Sequence, residues 1–153
     1  MDDYEIGHAT AADLPELVAL LGVLFGIEQD FRADTEKQFR GLSLLIAEPR
    51  AVVLTARPAG GPAVAVATAQ LVISTAEGAM SAWIEDVVVA EAHRGRGLGT
   101  RLLAAALDWA RGAGATRAQL LVDLDNAPAL DFYAALGWTA TRLAARRVSL
   151  AAR

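Results

Sequence analysis

The sequence predicts a mixed α/β (α+β) fold: a mostly antiparallel central sheet with one parallel βαβ unit and flanking helices. Three observations carry this expectation. Two β-rich runs, residues 51–57 and 63–74, are joined by Pro58-Ala59-Gly60-Gly61-Pro62, a turn signal that makes them a hairpin. A strand-like run ending in Val87-Val88-Val89 enters a glycine-rich loop, then a helical repeat, then another strand, which is the pattern of a parallel crossover. Helical and strand-like periods alternate along the chain with no Ser/Gly-rich linker and no internal repeat, so residues 1–153 are expected to form a single domain.

Each element has its own local cause. Residues 4–9 read as a first strand. Thr10 opens a helix with Asp13 three residues on, a shortened capping box, and Leu14, Val18, Leu21, Leu24 and Phe25 come after it at helical spacing. The polar stretch 26–34 ends it. A second helix over 35–47 places Phe39, Leu42, Leu45 and Ile46 on its apolar side and is stopped by Pro49. Gly78 marks a turn within 75–81, and residues 82–90 form the next strand. Leu98, Leu102, Leu103, Ala106, Leu107 and Ala110 make the buried stripe of a helix over 98–111, which Gly112-Ala113-Gly114 ends. A strand over 117–123 and a short helix over 126–136, closed by Gly137, come next. Two final strands are expected over 138–141 and 144–150, giving the order β-α-α-β-β-β-α-β-α-β-β.

Composition narrows the function. A chain of 153 residues that is 54% hydrophobic and 21% charged reads as globular and can bury about 70% of its unfolded surface. It has no cysteine, which excludes disulfides and thiolate metal sites. His8 and His93 stand in no metal-ligand spacing, so no metal is expected. A net charge of −4 argues against a nucleic-acid partner, which calls for a basic face. The start Met1-Asp2-Asp3-Tyr4-Glu5 lacks a signal peptide's basic and apolar regions, and no apolar run reaches membrane-span length. A cytoplasmic location without membrane attachment is the expectation. Lys37 is the only lysine, and the richness in alanine and arginine reads as composition bias.

The sharpest feature is the strand–loop–helix junction through His93, Arg94, Gly95, Arg96, Gly97, Leu98, Gly99 and Thr100. Such a junction aims several backbone N–H groups and the positive end of a helix dipole at one spot, an anion site suited to a pyrophosphate. His93, Arg94, Arg96 and Arg101 crowd that helix start in an otherwise acidic chain. Cations there oppose the dipole by roughly 0.3–1 kcal/mol each, a conflict that a bound anion removes. A tight turn with solvated arginines is the plain alternative. A P-loop is excluded because the loop has no lysine. A dinucleotide-binding loop would need glycine at position 100, where Thr100 stands.

The run Arg94-Gly95-Arg96-Gly97-Leu98-Gly99 resembles the Arg/Gln-x-x-Gly-x-Gly/Ala signature of the GNAT superfamily of acyl-CoA N-acyltransferases. Ile84-Glu85-Asp86-Val87-Val88-Val89 resembles the strand before that signature. The segment from Asn126 to Trp138 resembles the family's Asn-x-x-Ala-x-x-x-Tyr-x-x-x-Gly-Phe, with Trp138 in place of Phe. The resemblance covers about residues 82–138; the first half of the chain agrees in element order only.

That resemblance implies a GNAT-like fold with acetyl-CoA as co-substrate. It implies that the pantetheine arm lies against the backbone of Val87, Val88 and Val89, in a gap between splayed parallel strands, while residues 94–100 hold the pyrophosphate. Val87 to Val89 also suit a plain buried strand. By the same resemblance, Tyr133 would protonate the departing thiolate or hydrogen-bond it, although its spacing with Ala129 and Leu136 also allows a core role. Asn126 would contact the cofactor besides capping its helix. Glu85, or Asp86 in reserve, would take the amine's proton. Strand alternation puts Glu85 on the side of Val87 and Val89 unless a bulge intervenes, and a carboxylate paired with an arginine is the plain alternative. Glu28, Asp30, Asp34 and Glu36 would rim the acceptor cleft, favouring a cationic amine, or simply solvate a loop. Phe25 and Phe31 would line that cleft or anchor the loop. The expected partner is a small amine; an amino-sugar phosphate would instead need Arg32 or Arg40. A CoA-binding sensor and a protein N-terminal acetyltransferase are the alternatives, and relatives imply a homodimer through the apolar C-terminal strands.

Overall fold

The computed structural model describes residues 3–27 and 33–151. The chain forms two compact units, Met1–Leu121 and Val122–Arg153. The first holds a five-stranded sheet in sequential order, made of β1 (Tyr4–His8), β2 (Ala51–Pro58), β3 (Ala65–Ser74), β4 (Ala79–Val89) and β5 (Ala115–Leu120). Strands β1 to β4 pair antiparallel in succession, whereas β4 and β5 run parallel. The predicted hairpin is β2–β3, with Ala56 opposite Ala65 and Gly60 at φ 69° in its turn. Between the parallel strands runs a helix, Leu98–Gly112, as a crossover between parallel strands requires.

Helices cover both faces of the sheet. On one, α1 (Leu14–Ile27) and α2 (Thr35–Ala47) bury Leu14, Leu17, Leu20, Leu21 and Leu42 against Val53, Val66 and Val88. Val52, Leu54 and Ala56 alternate with Val53 and so point to the other face, where the crossover helix α3 (Leu98–Gly112) packs on β2, β3 and β4. There α3 buries Leu98, Leu102, Leu103, Ala106 and Ala110, the stripe its spacing predicts, with Leu107 half-buried. Each buried leucine contributes roughly 1.5–3 kcal/mol. Ala65, Ala67 and Ala69 are fully buried, and their small side chains let α3 lie close to β3.

Two acidic side chains set the starts of α1 and α2. The Thr10 N–H donates to Asp13 Oδ2 at 2.9 Å, and Arg57 from β2 donates to Asp13 Oδ1 at 2.7 Å. Burial favours the neutral form of Asp13, but the Thr10 amide and the Arg57 guanidinium outweigh it and hold this carboxyl below its ordinary range. Asp34 caps α2, accepting from the Lys37 N–H at 3.1 Å. Of the expected acidic rim, Asp34 is therefore a helix cap and Glu36 lies in the first turn of α2; Glu28, Asp30, Phe31 and Arg32 fall outside the described residues.

The second unit holds α4 (Ala127–Ala135). Asn126 Oδ1 caps it by accepting from the Ala129 N–H at 3.2 Å. The final strands expected over 138–141 and 144–150 are not formed: the segment is irregular, and Leu143, Val148 and Leu150 are 81%, 80% and 94% exposed. An apolar run becomes a strand only against a partner that covers it and completes its ladder, and this segment pairs with none among the described residues.

Candidate functional site

Past Val89 the chain makes a single tight turn, Glu91–His93, and reaches α3 through Arg94, Gly95, Arg96 and Gly97. Gly95 and Gly97 both sit at φ 76°, the left-handed region that glycine enters without steric cost. Gly97 is the N-cap of α3, no side chain caps it, and no acidic residue stands in the first turn. The first helical N–H groups, on Leu98, Gly99 and Thr100, have no partner within the helix. Apart from the adjacent residues, no atom of the described residues lies within 4 Å of where a Cβ would sit at Gly95 or Gly97, so the backbone can be approached closely there. Arg94 folds back, its Nε donating to the Val89 carbonyl at 3.0 Å, while Leu98 is buried and anchors the helix.

The strand leading to this loop is irregular at one point. In β3–β4 the pairs run Thr68 with Glu85 and then Val66 with Val88. One residue of β3 therefore faces two of β4, Asp86 and Val87, which is a bulge. Asp86 takes up the irregularity at φ 56°, the one positive φ of a non-glycine residue among the described residues. The bulge corrects the alternation argument. Glu85 and Val88 lie opposite alternate residues of β3 and so share a face, the one covered by α1 and α2; Glu85 does not share a side with Val87 and Val89 by simple alternation. Parallel pairing with β5 ends at Ile84 opposite Leu120, so β4 extends past its neighbour's last paired residue from Glu85 to Val89.

The two adjacent carboxylates differ sharply in environment. Glu85 is exposed and accepts from the Trp83 indole N–H. Asp86 is half-buried and accepts from the Thr68 hydroxyl at 3.2 Å; that hydroxyl also lies 3.1 Å from the Glu85 carbonyl. Burial, reinforced by the charge of Glu85, pushes the Asp86 carboxyl up to about 6 against the opposing Thr68 hydrogen bond. Alternation carries no trace of this, because the bulge and the shielding arise from packing.

Tyr133 occupies the last full turn of α4. It is half-buried, with edge-to-face contacts to Phe132 at 5.2 Å and to Trp138 at 5.9 Å between centroids. Behind it the helix ends with Gly137 at φ 89°. The Gly137 N–H bonds the Ala134 carbonyl and the Trp138 N–H the Tyr133 carbonyl, both at 3.0 Å. This is the glycine-terminated helix end in which an apolar contact joins the flanking residues.

Within the first unit, the structure thus brings Glu85, Asp86, Val87, Val88 and Val89 to the strand entering residues 94–100; in the second, Asn126 caps the start of α4 and Tyr133 lies in its last turn. Between α1 and α2, Pro15, Val18, Thr35, Glu36, Phe39 and Arg40 line an open groove of ≈ 500 Å³. Its one carboxylate and one guanidinium leave it without a clear sign. Among the described residues no cluster of metal-ligating side chains forms, and no helix is long and apolar enough to cross a membrane.

Residues 24–138 match the family model described as the acetyltransferase (GNAT) family. A streptothricin acetyltransferase of Streptomyces lavendulae is 44% identical over 63 residues, 38% of this chain and 33% of that protein. A candidate acetyltransferase of Agrobacterium tumefaciens superimposes with a TM-score of 0.80 at 28% identity, covering 95% of this chain and 99% of the other. An aminoglycoside N-acetyltransferase in complex with CoA shares the fold, with a TM-score of 0.81 at 16% identity over 99% of this chain and 97% of that one. The chain spans about a third or less of the length of the curated relatives it matches.

Proposed function

This chain belongs to the GNAT acetyltransferase family, and we propose that it moves an acetyl group from acetyl-CoA to a primary amine by direct transfer in a ternary complex. The observation that carries this reading is the start of α3, where two positive-φ glycines leave first-turn N–H groups open beside Arg94 and Arg96 with no acid in that turn. A diphosphate supplies the negative charge that such a terminus favours, and the open approach at Gly95 and Gly97 suits it. The pantetheine arm would then run along β4 from Val87 to Val89. An edge freed from its neighbour can pair with the amides of an extended ligand as it would with another strand.

The transfer needs one proton removed and one supplied. As the amine nitrogen attacks the thioester, a base takes its proton. Asp86 is the better candidate, because a carboxyl raised to about 6 is matched to work near neutral pH. Glu85, exposed and adjacent, adds negative charge that favours a cationic amine and also raises Asp86. Tyr133 gives its phenolic proton to the departing thiolate and regains one through solvent, matching the proton taken at nitrogen. The products are an amide and a free thiol, with no net change in the chain. Asn126 serves as cap and as a contact to the co-substrate.

The test is an acetyl-CoA melting shift and then an amine panel read as thiol release. Streptothricin and aminoglycosides head the panel, since relatives carry those names; polyamines, amino-sugar phosphates and peptide N-termini complete it. A ligand that binds only the native state must raise Tm. No shift at saturating acetyl-CoA ends the proposal. A shift without thiol release across the panel replaces the enzyme with a CoA-binding module.

A further inference from the structure

Residue Tyr4, at the start of the sheet's edge strand, is bonded on both sides of residues 94–100, to His93 before them and to Arg101 in the first turn of α3. Its hydroxyl lies 2.7 Å from His93 Nδ1, and the two rings meet edge to face at 5.8 Å and 88°. Its carbonyl accepts from the Arg101 guanidinium at 2.9 Å. His93 immediately precedes residues 94–100, and Arg101 immediately succeeds them. One residue, distant in sequence by 89 positions from the first partner and 97 from the second, therefore closes a bracket around the loop. Tyr4 is itself held by pairing with Pro58 of β2, so the bracket is anchored to the sheet.

Two features show what the bracket does. Gly95 and Gly97, both at positive φ, are the positions where this loop has most backbone freedom to lose. Fixing the chain on either side of them removes part of that freedom before a ligand arrives, which is how a preformed site gains affinity. The bracket also redirects a charge: Arg101, in the first turn of α3, sends its guanidinium onto the Tyr4 carbonyl.

We infer that Tyr4 is a positioning residue for the diphosphate-binding loop, acting through His93 and Arg101 and without touching the co-substrate. This rests on the proposal that residues 94–100 hold acetyl-CoA. The experiment compares the full-length chain with Tyr4→Phe, which removes only the hydroxyl, and with His93→Ala and the double variant. Two readouts are taken: amide hydrogen exchange of the ligand-free proteins, and steady-state kinetics with both substrates varied. Tyr4→Phe should raise exchange at residues 94–101 while leaving β2 and β3 unchanged. It should also raise the KM and Kd for acetyl-CoA about 3- to 10-fold, the effect of one hydrogen bond, with kcat and the amine KM unchanged. The double variant should lose no more than His93→Ala alone. Unchanged exchange at residues 94–101 overturns the inference whether or not acetyl-CoA binds. A general rise in exchange, or a fall in kcat with no change in the KM for acetyl-CoA, reduces Tyr4 to a fold-stabilising residue and overturns it too. If the wild-type chain shows no affinity for acetyl-CoA, the co-substrate assignment fails and takes the positioning role with it.

Discussion

The backbone N–H of Trp138 donates to the Tyr133 carbonyl at 3.0 Å, and the two rings meet edge to face at 5.9 Å. The spacing Tyr-x-x-x-Gly-aromatic is thus the pattern of a helix end. Glycine supplies the left-handed turn, and the next residue's ring packs back on the tyrosine. Trp138 preserves that arrangement where the family pattern has Phe.

This mount makes separable predictions for Tyr133 and its neighbour. Tyr133→Phe should lower kcat about 100-fold or more, the range of a lost general acid, with the Kd for acetyl-CoA kept. Trp138→Phe should remain near wild type, whereas Trp138→Ala should lower kcat by releasing the ring of Tyr133. Kinetics on the three variants with a fixed amine decide it: unchanged turnover in Tyr133→Phe removes this residue from the chemistry.

Glycines at different φ should respond oppositely to alanine. Gly97→Ala places an L-residue at φ 76°, which costs roughly 1–2 kcal/mol, and sets a methyl where the diphosphate would approach. Its loss of acetyl-CoA affinity should exceed its loss of stability. Gly22→Ala, inside α1 with no atom of the described residues beyond its own helix backbone and chain neighbours within 4 Å of the new Cβ, should stabilise the fold by about 0.5–1 kcal/mol and leave binding alone. Urea denaturation and calorimetric titration of both variants provide the comparison.

The raised carboxyl of Asp86 has a defined pH signature. Its affinity for a proton is higher in the fold, about 6 against an ordinary 3.8, so its stabilising contribution is complete below the ordinary value and is lost as pH rises through 6. Asp86→Asn should therefore gain stability relative to wild type between about pH 4 and pH 7 and level off above. If Asp86 is the base, the acid limb of kcat/KM should break near pH 6 and kcat should drop about 100-fold or more in the Asn variant. Glu85→Gln should instead act mainly on the KM of cationic amines. A limb that persists in Asp86→Asn would assign the base elsewhere.

Gln38 is buried at 6% exposure on α2, and neither amide atom has a hydrogen-bond partner among the described residues. An unsatisfied buried polar group costs about 1–3 kcal/mol. Gln38→Leu, close in volume, should raise the urea midpoint by a corresponding amount. A lower midpoint would mean that the amide is satisfied in solution by water or a ligand.

Legibility in the sequence tracks the range of the interaction involved. The α2 bounds at Thr35–Ala47, the α3 stripe and the Asn126 cap arise from residues within one or two turns of each other, and the sequence displays them directly. The β2–β3 hairpin is legible because its turn is local. The C-terminal strands, expected over 138–141 and 144–150, do not form, because apolar residues show only that a segment can be a strand; a neighbouring edge makes it one. The bulge at Asp86 is invisible for a related reason: one extra residue in a pairing register leaves no mark on the strand's own composition.

The family signature, the loop that presents backbone N–H groups and the helix end that mounts Tyr133 are written in the residues themselves, because each depends on glycine conformation and on spacing along the chain. Folding had to supply the rest: which neighbouring carboxylate is shielded, which face Glu85 occupies, and that Tyr4 reaches residues on both sides of segment 94–100. Burial, register and contacts across 89 and 97 positions come into being only when distant segments pack, and desolvation is a property of that packing.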